Sequence, residues 1–557
     1  MNTPTTTDST TAATPAAEAE WWRHAVVYQI YVRSFADGNG DGTGDIAGMR
    51  ARLPYLERLG IDAIWVNPWY HSPLHDGGYD VADYRKINEQ FGTTAEAEEF
   101  IADARSHGIR VIVDLVPNHL SSDHRWFTAA LASSPGSPER ARFHFLPGRG
   151  DDGSEPPNDW RSVFGGPAWT RVTEVDGSPG EWYLHLFDTT QPDVNWENSE
   201  VAEELDAVMR FWLDRGASGF RVDVAHSLVK APGYPDLGDR SHRDGAAWTE
   251  GHPHWDRDEI HAINRRWRAT LDEYPDTMMV AEAWVRADRR PLYLRPDEYH
   301  QAFDFDFLGT AWDAEEFRRM IGSSFDAARA VGSHPTWVLS NHDVVRHATR
   351  YGLPKGVDSG GWLLDGPHDL LDAARGERRA RAAALVTLGL PGSTYVYQGD
   401  ELGLPEVWDL PTEVLDDPVW TDSLGTRKGR DGCRVPLPWT ADGPSFGFGT
   451  AEPWMPQPDL FAGLAASEQD GSPSSTLELY RNAIRTRREV LAGGDHLEFG
   501  ELGDDVLDID RGGVRIVINM GDESIPMPPG EIIVSSDPDQ HDSPSKLAPD
   551  CGVWLRG

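Results

Sequence analysis

The sequence predicts an α/β protein built on a (β/α)8 (TIM) barrel, with a subdomain inserted after the third strand and a small all-β domain at the C-terminal end. Three observations predict it. From about residue 24, eight short apolar strands alternate with amphipathic helices, the rhythm of a parallel barrel. Two stretches, about 120–190 and 400–470, are too long and too rich in Gly, Pro and Asp to be ordinary loops. After residue 495 the pattern changes to short alternating segments, which read as antiparallel strands.

The elements follow in order. Residues 1–20, "MNTPTTTDSTTAATPAAEAE", have the Thr/Ala/Pro/Glu composition of a disordered tail. They lack the basic n-region and apolar core of a signal peptide, so a cytoplasmic location is expected. The barrel is assigned to 21–119 and 191–494, with strands in "AVVYQIYVRSF", "DAIWVNPWY", "RVIVDLVPNH", "GFRVDVAH", "MMVAEAW", "AFDFDF", "TWVLSNHD" and "STYVYQGD". Segments such as "TTAEAEEFIADARSHG" and "RRARAAALVTLGLPG" supply helices between them. Residues 120–190 form the inserted subdomain, and 400–470 a long excursion after the eighth strand. The helix "STLELYRNAIRTRREVL" precedes "VRIVINM" and "EIIVSS", strands of a β domain over 495–557.

Composition narrows the partners. The chain has 557 residues, 39% of them apolar and 25% charged, which is globular. A net charge of −40 repels phosphate backbones and anionic membranes, which argues against both as partners. Two cysteines, Cys433 and Cys551, make neither a disulfide framework nor a zinc site. Oligomeric state is not legible.

In a parallel barrel the C-terminal strand ends face the active-site mouth. Here they read "DLVPNH", "RVDVAH", "EAW" and "NHD". One polar strand end is usually a cap or loop contact. Four converging ends with acids and histidines point to an active site. In "GFRVDVAH", Arg221 and Asp223 are two residues apart, so they project from the same face of a strand otherwise made for burial. A cation there favours the ionised carboxylate.

"DLVPNH" (114–119), "GFRVDVAH" (219–226), "AEAW" (281–284) and "SNHD" (340–343), with the accessory "QPDVNW" (191–196), resemble the ordered motifs of the α-amylase family, glycoside hydrolase family 13. The resemblance runs from about Trp22 to the C-terminus. It implies Asp223 as nucleophile, Glu282 as general acid/base and Asp343 as a third acid on the sugar hydroxyls, the chemistry of a retaining glycosidase. It implies hydroxyl-binding roles for His119 and His342, with Arg221 beside the nucleophile and Asp114 on the barrel rim. "HDGGYDVADY" (75–84) resembles exo-acting members, implying a stacking Tyr79 and a glucose-binding Asp80. Arg434 of "RDGCRVPLPW" is the expected partner of Asp80, closing the pocket behind one glucose. Phe164 of "VFGGPAW" resembles an apolar pocket wall.

"DGNGDGTGD" (37–45) places oxygen side chains at positions 1, 3, 5 and 9 with Gly at 6, like the start of an EF-hand loop, but Gly48 stands where the bidentate Glu would be. The resemblance implies a structural calcium held by Asp37, Asn39, Asp41, Asp45 and the Thr43 carbonyl, with no cofactor for catalysis. "DVAHSLVK" is most like the actinobacterial α-glucosidase branch. The expected activity is exo-acting, retaining hydrolysis of maltose and short maltooligosaccharides. An oligo-1,6-glucosidase and a trehalose synthase-like transferase share the catalytic residues and remain alternatives. A catalytically inactive relative is disfavoured, because all three acids are present and no apolar run has the length of a membrane span.

Overall fold

The computed structural model describes residues 20–238, 251–491, 494–540 and 545–557. The tail expected over 1–20 lies, apart from Glu20, outside the described residues. Eight strands form the barrel: β1 (Val26–Ile30), β2 (Ala63–Val66), β3 (Arg110–Leu115), β4 (Gly219–Val222), β5 (Met278–Ala281), β6 (Gln301–Ala302), β7 (Thr336–Val338) and β8 (Ser393–Tyr397). Their order is β6-β5-β4-β3-β2-β1-β8-β7, and each pair is parallel. A Phe303–Thr336 bridge joins the ends of the sheet and closes the barrel.

These strands are apolar on both faces because both are covered. Val27, Trp65, Ile112, Met278, Val280, Val338 and Tyr395 pack together as one apolar cluster, while Val26, Tyr28, Ile64, Val111 and Phe220 belong to another that includes the surrounding helices. Helix starts are set by local chemistry. Thr93 and Glu96 form a reciprocal capping box for Thr94–Ser106, and Asn198 caps Ser199–Leu213. The helix Leu53–Leu59 ends on Gly60, at φ 89°, as a left-handed C-cap requires.

Two strands are shorter than their sequence suggests. "AFDFDF" alternates like a strand, yet β6 stops at Ala302. Asp304 accepts a hydrogen bond from Phe307 N and starts a short helix, Phe305–Leu308. "DAIWVNPWY" divides after Val66: Tyr70–His71 leaves the barrel and pairs antiparallel with Asp83–Ile87. The region after β3 carries a three-stranded antiparallel sheet, Phe145–Leu146, Trp169–Thr173 and Pro179–Leu184. After β8 the chain runs through short helices and turns toward the barrel mouth. Beyond residue 495 an antiparallel sheet of five strands packs on the helix Ala373–Gly389. Trp554 Nε1 donates to the Leu385 carbonyl at 3.0 Å there. Among the described residues no helix is long and apolar enough to cross a membrane.

Gly219 opens β4 at φ 139°, where a Cβ would lie 1.8 Å from the Met278 carbonyl oxygen on β5. Backbone and backbone cannot both stay. We expect Gly219→Ala to force β4 and β5 apart and lower unfolding free energy by about 3 kcal/mol or more, measured by urea titration.

Candidate active site

Strand register builds the site. In the paired rows Asp114 stands opposite Arg221, and Arg221 opposite Val280. Asp223 and Glu282 therefore leave adjacent strands at one level, one residue and one step beyond Val222 and Ala281. Arg221, 1% exposed, sits between the acids. Its Nη1 donates to Asp223 Oδ1 at 2.5 Å and to Asp114 Oδ1 at 3.1 Å, while Nη2 lies 3.8 Å from Glu282 Oε2. Asp114 also accepts from Trp65 Nε1 and Tyr79 Oη, each at 3.0 Å. It is tied into the wall and takes no place in the cavity lining.

Burial pushes the carboxyls of Asp223 and Glu282 up, and repulsion between them works the same way at Asp223; Arg221 opposes this at both. One guanidinium cannot serve the two equally. The direct hydrogen bond goes to Asp223, so the negative charge is best held there and the proton on Glu282. Glu282 is oriented from both sides. Val224 N donates to Oε2 and Trp284 Nε1 to Oε1, each at 2.6 Å, and the Trp284 ring stacks on Phe305 at 3.9 Å. Val224 takes φ 44°, a backbone position a β-branched residue rarely adopts, and this turn aims its N–H at Glu282.

Asp343 faces them across a cavity of about 1250 Å³. Burial opposes its ionisation, but the Arg430 and Arg434 guanidinium groups hold its carboxyl well below the usual range. Gln29 Nε2 donates to His342 Nδ1 at 2.7 Å, which leaves the ring proton on Nε2, 3.3 Å from Asp343 Oδ2. Tyr79 stacks on His342 at 5.2 Å with 5° between the planes. His119 is brought in by its Nε2 contact to the Tyr79 carbonyl, and burial lowers its pKa to about 4, so the imidazole is neutral. Phe164 lines the wall beneath the Arg430 guanidinium, 5.0 Å from its ring centroid.

The expected Asp80–Arg434 pair does not form. Asp80 is fully buried and its oxygens are taken by Ser72 Oγ, His75 N and Asp76 N, the donors of its own loop. The acid that turns into the cavity is Asp76, and its partner is Arg430, with Nη2 at 2.6 Å. Arg430 Nη1 reaches on to Asp343 Oδ1 at 3.0 Å. Arg434 works from behind, donating to the His342 carbonyl at 2.8 Å and to Asp343 Oδ1 at 3.1 Å. Burial raises Asp76 to about 6 against the pull of Arg430. Gln191, fully buried, donates to Asp76 Oδ2 at 3.0 Å, so its amide holds the pocket acid beside His119. The motif "QPDVNW" contained it, without a sign of which member mattered.

A second buried cation ties together the two chain segments that flank the insert. Lys230 Nζ lies 2.8 Å from Asp193 Oδ2, 2.9 Å from Asn118 Oδ1 and 2.5 Å from the Ser227 carbonyl. Asn118 Nδ2 donates to Asp193 Oδ2 at 3.1 Å and contacts His119 Nδ1 at 3.2 Å.

The loop 37–45 lies away from these groups. Asp37 accepts from Gly40 N and Gly42 N, and Asp45 from Gly38 N, Asn39 N and Gly48 N, so both acids brace the turn. Asn39 and Asp41 bond each other and Asp41 accepts from Thr43 N. The donor set is all oxygen, which suits a hard cation such as calcium. Among the described residues, the His/Asp group with ligand atoms mutually within 4.8 Å is elsewhere, at His24, His334 and Asp495. There Arg23 reaches His334 Nδ1, leaving Nε2 to donate to Asp495, the wrong tautomer for a metal on Nε2.

Comparison with known proteins agrees with this geometry. Residues 29–494 match the family described as alpha amylase, catalytic domain. The chain is 36% identical over 550 residues to a probable alpha-glucosidase of Rhizobium meliloti (strain 1021), covering 93% of each. It is 34% identical to an oligo-1,6-glucosidase of Parageobacillus thermoglucosidasius, covering 85% of this chain and 84% of that one. Among solved structures, an alpha-glucosyl transfer enzyme, XgtA, superposes with TM-score 0.82 at 31% identity, over 96% of this chain and 100% of that one. The trehalulose synthase MutB from Pseudomonas mesoacidophila MX-45 gives 0.81 at 30%, over 98% and 100%.

Two outcomes test the geometry. Arg430→Ala should raise KM for a terminal α-glucoside by about tenfold or more, the equivalent of about 1.4 kcal/mol, and Asp80→Asn should act on stability rather than KM. Lys230→Met should strand the buried Asp193 carboxylate and cost about 3–5 kcal/mol of stability, read as a lower urea midpoint.

Proposed function

The chain belongs to the α-amylase family of glycoside hydrolases, and from that premise we propose that it is an exo-acting, retaining α-glucosidase that removes terminal glucose from maltose and short maltooligosaccharides. One observation carries the reading: Arg430 joins Asp76 to Asp343 at one side of the cavity, while Asp223 and Glu282 meet around Arg221. A clamp of two acids and an arginine suits the adjacent hydroxyls of a single end glucose.

The chemistry follows from the charge placement. Asp223, ionised beside Arg221, attacks the anomeric carbon as Glu282 gives its proton to the leaving oxygen. A β-glucosyl ester on Asp223 results. Water then attacks that carbon and Glu282 takes its proton back, so configuration is retained. Asp343 and the Nε2 proton of His342 engage ring hydroxyls as positive charge grows on the sugar. Asp223→Asn and Glu282→Gln should each cut kcat by about 10²-fold or more on an aryl α-glucoside while leaving the fold intact. Azide should restore turnover to Glu282→Ala on an activated substrate, attacking the β-glucosyl ester in place of water and yielding the α-glucosyl azide. Near-normal turnover by Asp223→Asn would sink the assignment.

Linkage is the open choice. Val224 lies against the cavity beside the nucleophile, and similarity to an oligo-1,6-glucosidase supports an isomaltose-cleaving alternative. One apolar contact discriminates by only about 1–3 kcal/mol. The reading favours maltose, and the ratio of kcat/KM for maltose and isomaltose decides it. Product analysis from maltose separates hydrolysis from transfer to a second sugar, the alternative to which XgtA and MutB point. We further propose calcium at the Asp37–Asp45 loop in a structural role. Binding only the native state would raise Tm and chelator would lower it. An unchanged melting curve in excess chelator, with no calcium in the purified protein, retires that site.

A further inference from the structure

Arg430 is held by an acid that none of the pocket chemistry requires. Asp417 lies in the excursion after β8, with its side chain fully buried and outside the cavity lining. Its carboxylate grips the guanidinium edge-on: Arg430 Nε donates to Oδ2 and Nη2 to Oδ1, each at 2.8 Å. The same carboxylate accepts Arg430 N and, at 3.1 Å, Val419 N. Gly429, at φ 85°, folds the chain tightly over it; a Cβ there would lie 2.7 Å from Asp417 Oδ2.

The donor count explains the arrangement. A guanidinium has five N–H groups in one plane. Asp417 takes the Nε–H and one Nη2–H. That leaves Nη1 for Asp343 at 3.0 Å and the second Nη2–H for Asp76 at 2.6 Å. Fixing one edge fixes the direction of the other. Asp76 and Asp343 are the acids assigned to the sugar, and each must rearrange its hydrogen bonds when hydroxyls arrive. Asp417 meets no sugar, so its bond to Arg430 persists through that exchange.

We propose that Asp417 is a positioning residue for the end-glucose clamp, holding Arg430 in the plane that lets it serve Asp76 and Asp343 together. The inference rests on the reading of this cavity as a one-glucose site. Against burial, Arg430 holds Asp417 down to about 2, so it remains ionised wherever the enzyme is folded and works as a permanent anchor.

The test compares three variants on 4-nitrophenyl α-glucoside, with glucose as competitive inhibitor. Asp417→Asn puts an amide N–H or a weaker acceptor against the Arg430 edge. Asp417→Ser keeps a cap for Val419 N and drops the grip. Asp417→Glu keeps the charge. We expect Asp417→Asn and Asp417→Ser to raise both KM and the glucose inhibition constant about tenfold, with kcat changed less than about threefold. Asp417→Glu should recover part of the loss. KM and inhibition constant within twofold of the parent in Asp417→Asn would overturn the proposal. So would losses of kcat and KM that only track the folded fraction, or failure of Asp417→Ser to fold, either of which places Asp417 in the fold and not in the site. A parent protein without activity on the aryl glucoside overturns it too, through the function on which it rests; an active parent with unaffected variants overturns this inference alone.

Discussion

Everything at the barrel mouth is arranged around one buried cation. Arg221 has almost no access to water, yet three carboxyl groups, on Asp114, Asp223 and Glu282, lie within 3.8 Å of its guanidinium nitrogens. A lone arginine at this depth would be prohibitively costly, and so would three anions. Together they are tolerable only if the protons are shared out unequally. Distance does the sharing: the closest acid keeps the charge and the most distant keeps the proton. The proposed division of labour between nucleophile and acid thus follows from where one guanidinium is placed on β4. That placement depends in turn on Gly219 letting β4 and β5 touch, and on Trp65 and Tyr79 boxing the guanidinium in at 5.0 and 5.5 Å.

Two further cations, Lys230 and Arg430, have different tasks. Lys230 gathers oxygens from the loops after β3 and β4 and from the segment that follows the inserted region, so the junction that sets His119 is held by an ammonium on a tether. Arg430 does the same for the far wall, with acids from three separate parts of the chain. In each case the cation is satisfied by fixed partners first and offers the remainder to function. Rigid placement of that kind is what makes polar groups useful in a site emptied of water.

How much of this was legible in the sequence depended on periodicity. The barrel could be read because buried parallel strands and amphipathic helices leave opposite patterns that repeat eight times. The convergence of Asp223 and Glu282 could be read because they end strands, where position along the chain fixes position in space. Asp304 shows the limit: alternation continued through "AFDFDF", but a side-chain cap won over the strand. The pocket wall was read less well, because loops obey no period. "HDGGYD" offers two acids, and which one its own backbone consumes is decided by the turn, so Asp80 was chosen over Asp76. "RDGCR" offers two arginines, and Arg430 was passed over for Arg434 for the same reason. Asp417 had no signal at all, since nothing in "LDDPVW" announces a contact with a residue beyond the next turn.

The clamp spans the chain as well as the pocket. Asp76 and Arg430 are separated by 354 positions, and β1 completes the barrel only by pairing with β8, a strand made almost as late. At about 5–20 residues per second, a ribosome takes on the order of tens of seconds to travel from one half of the clamp to the other. During that interval β1 has an unpaired edge and the cavity has no far wall. The enzyme therefore cannot acquire its pocket piecemeal as it is synthesised. Its first half must wait, sheltered or kept soluble by its dense negative charge, for a residue that arrives when most of the protein already exists.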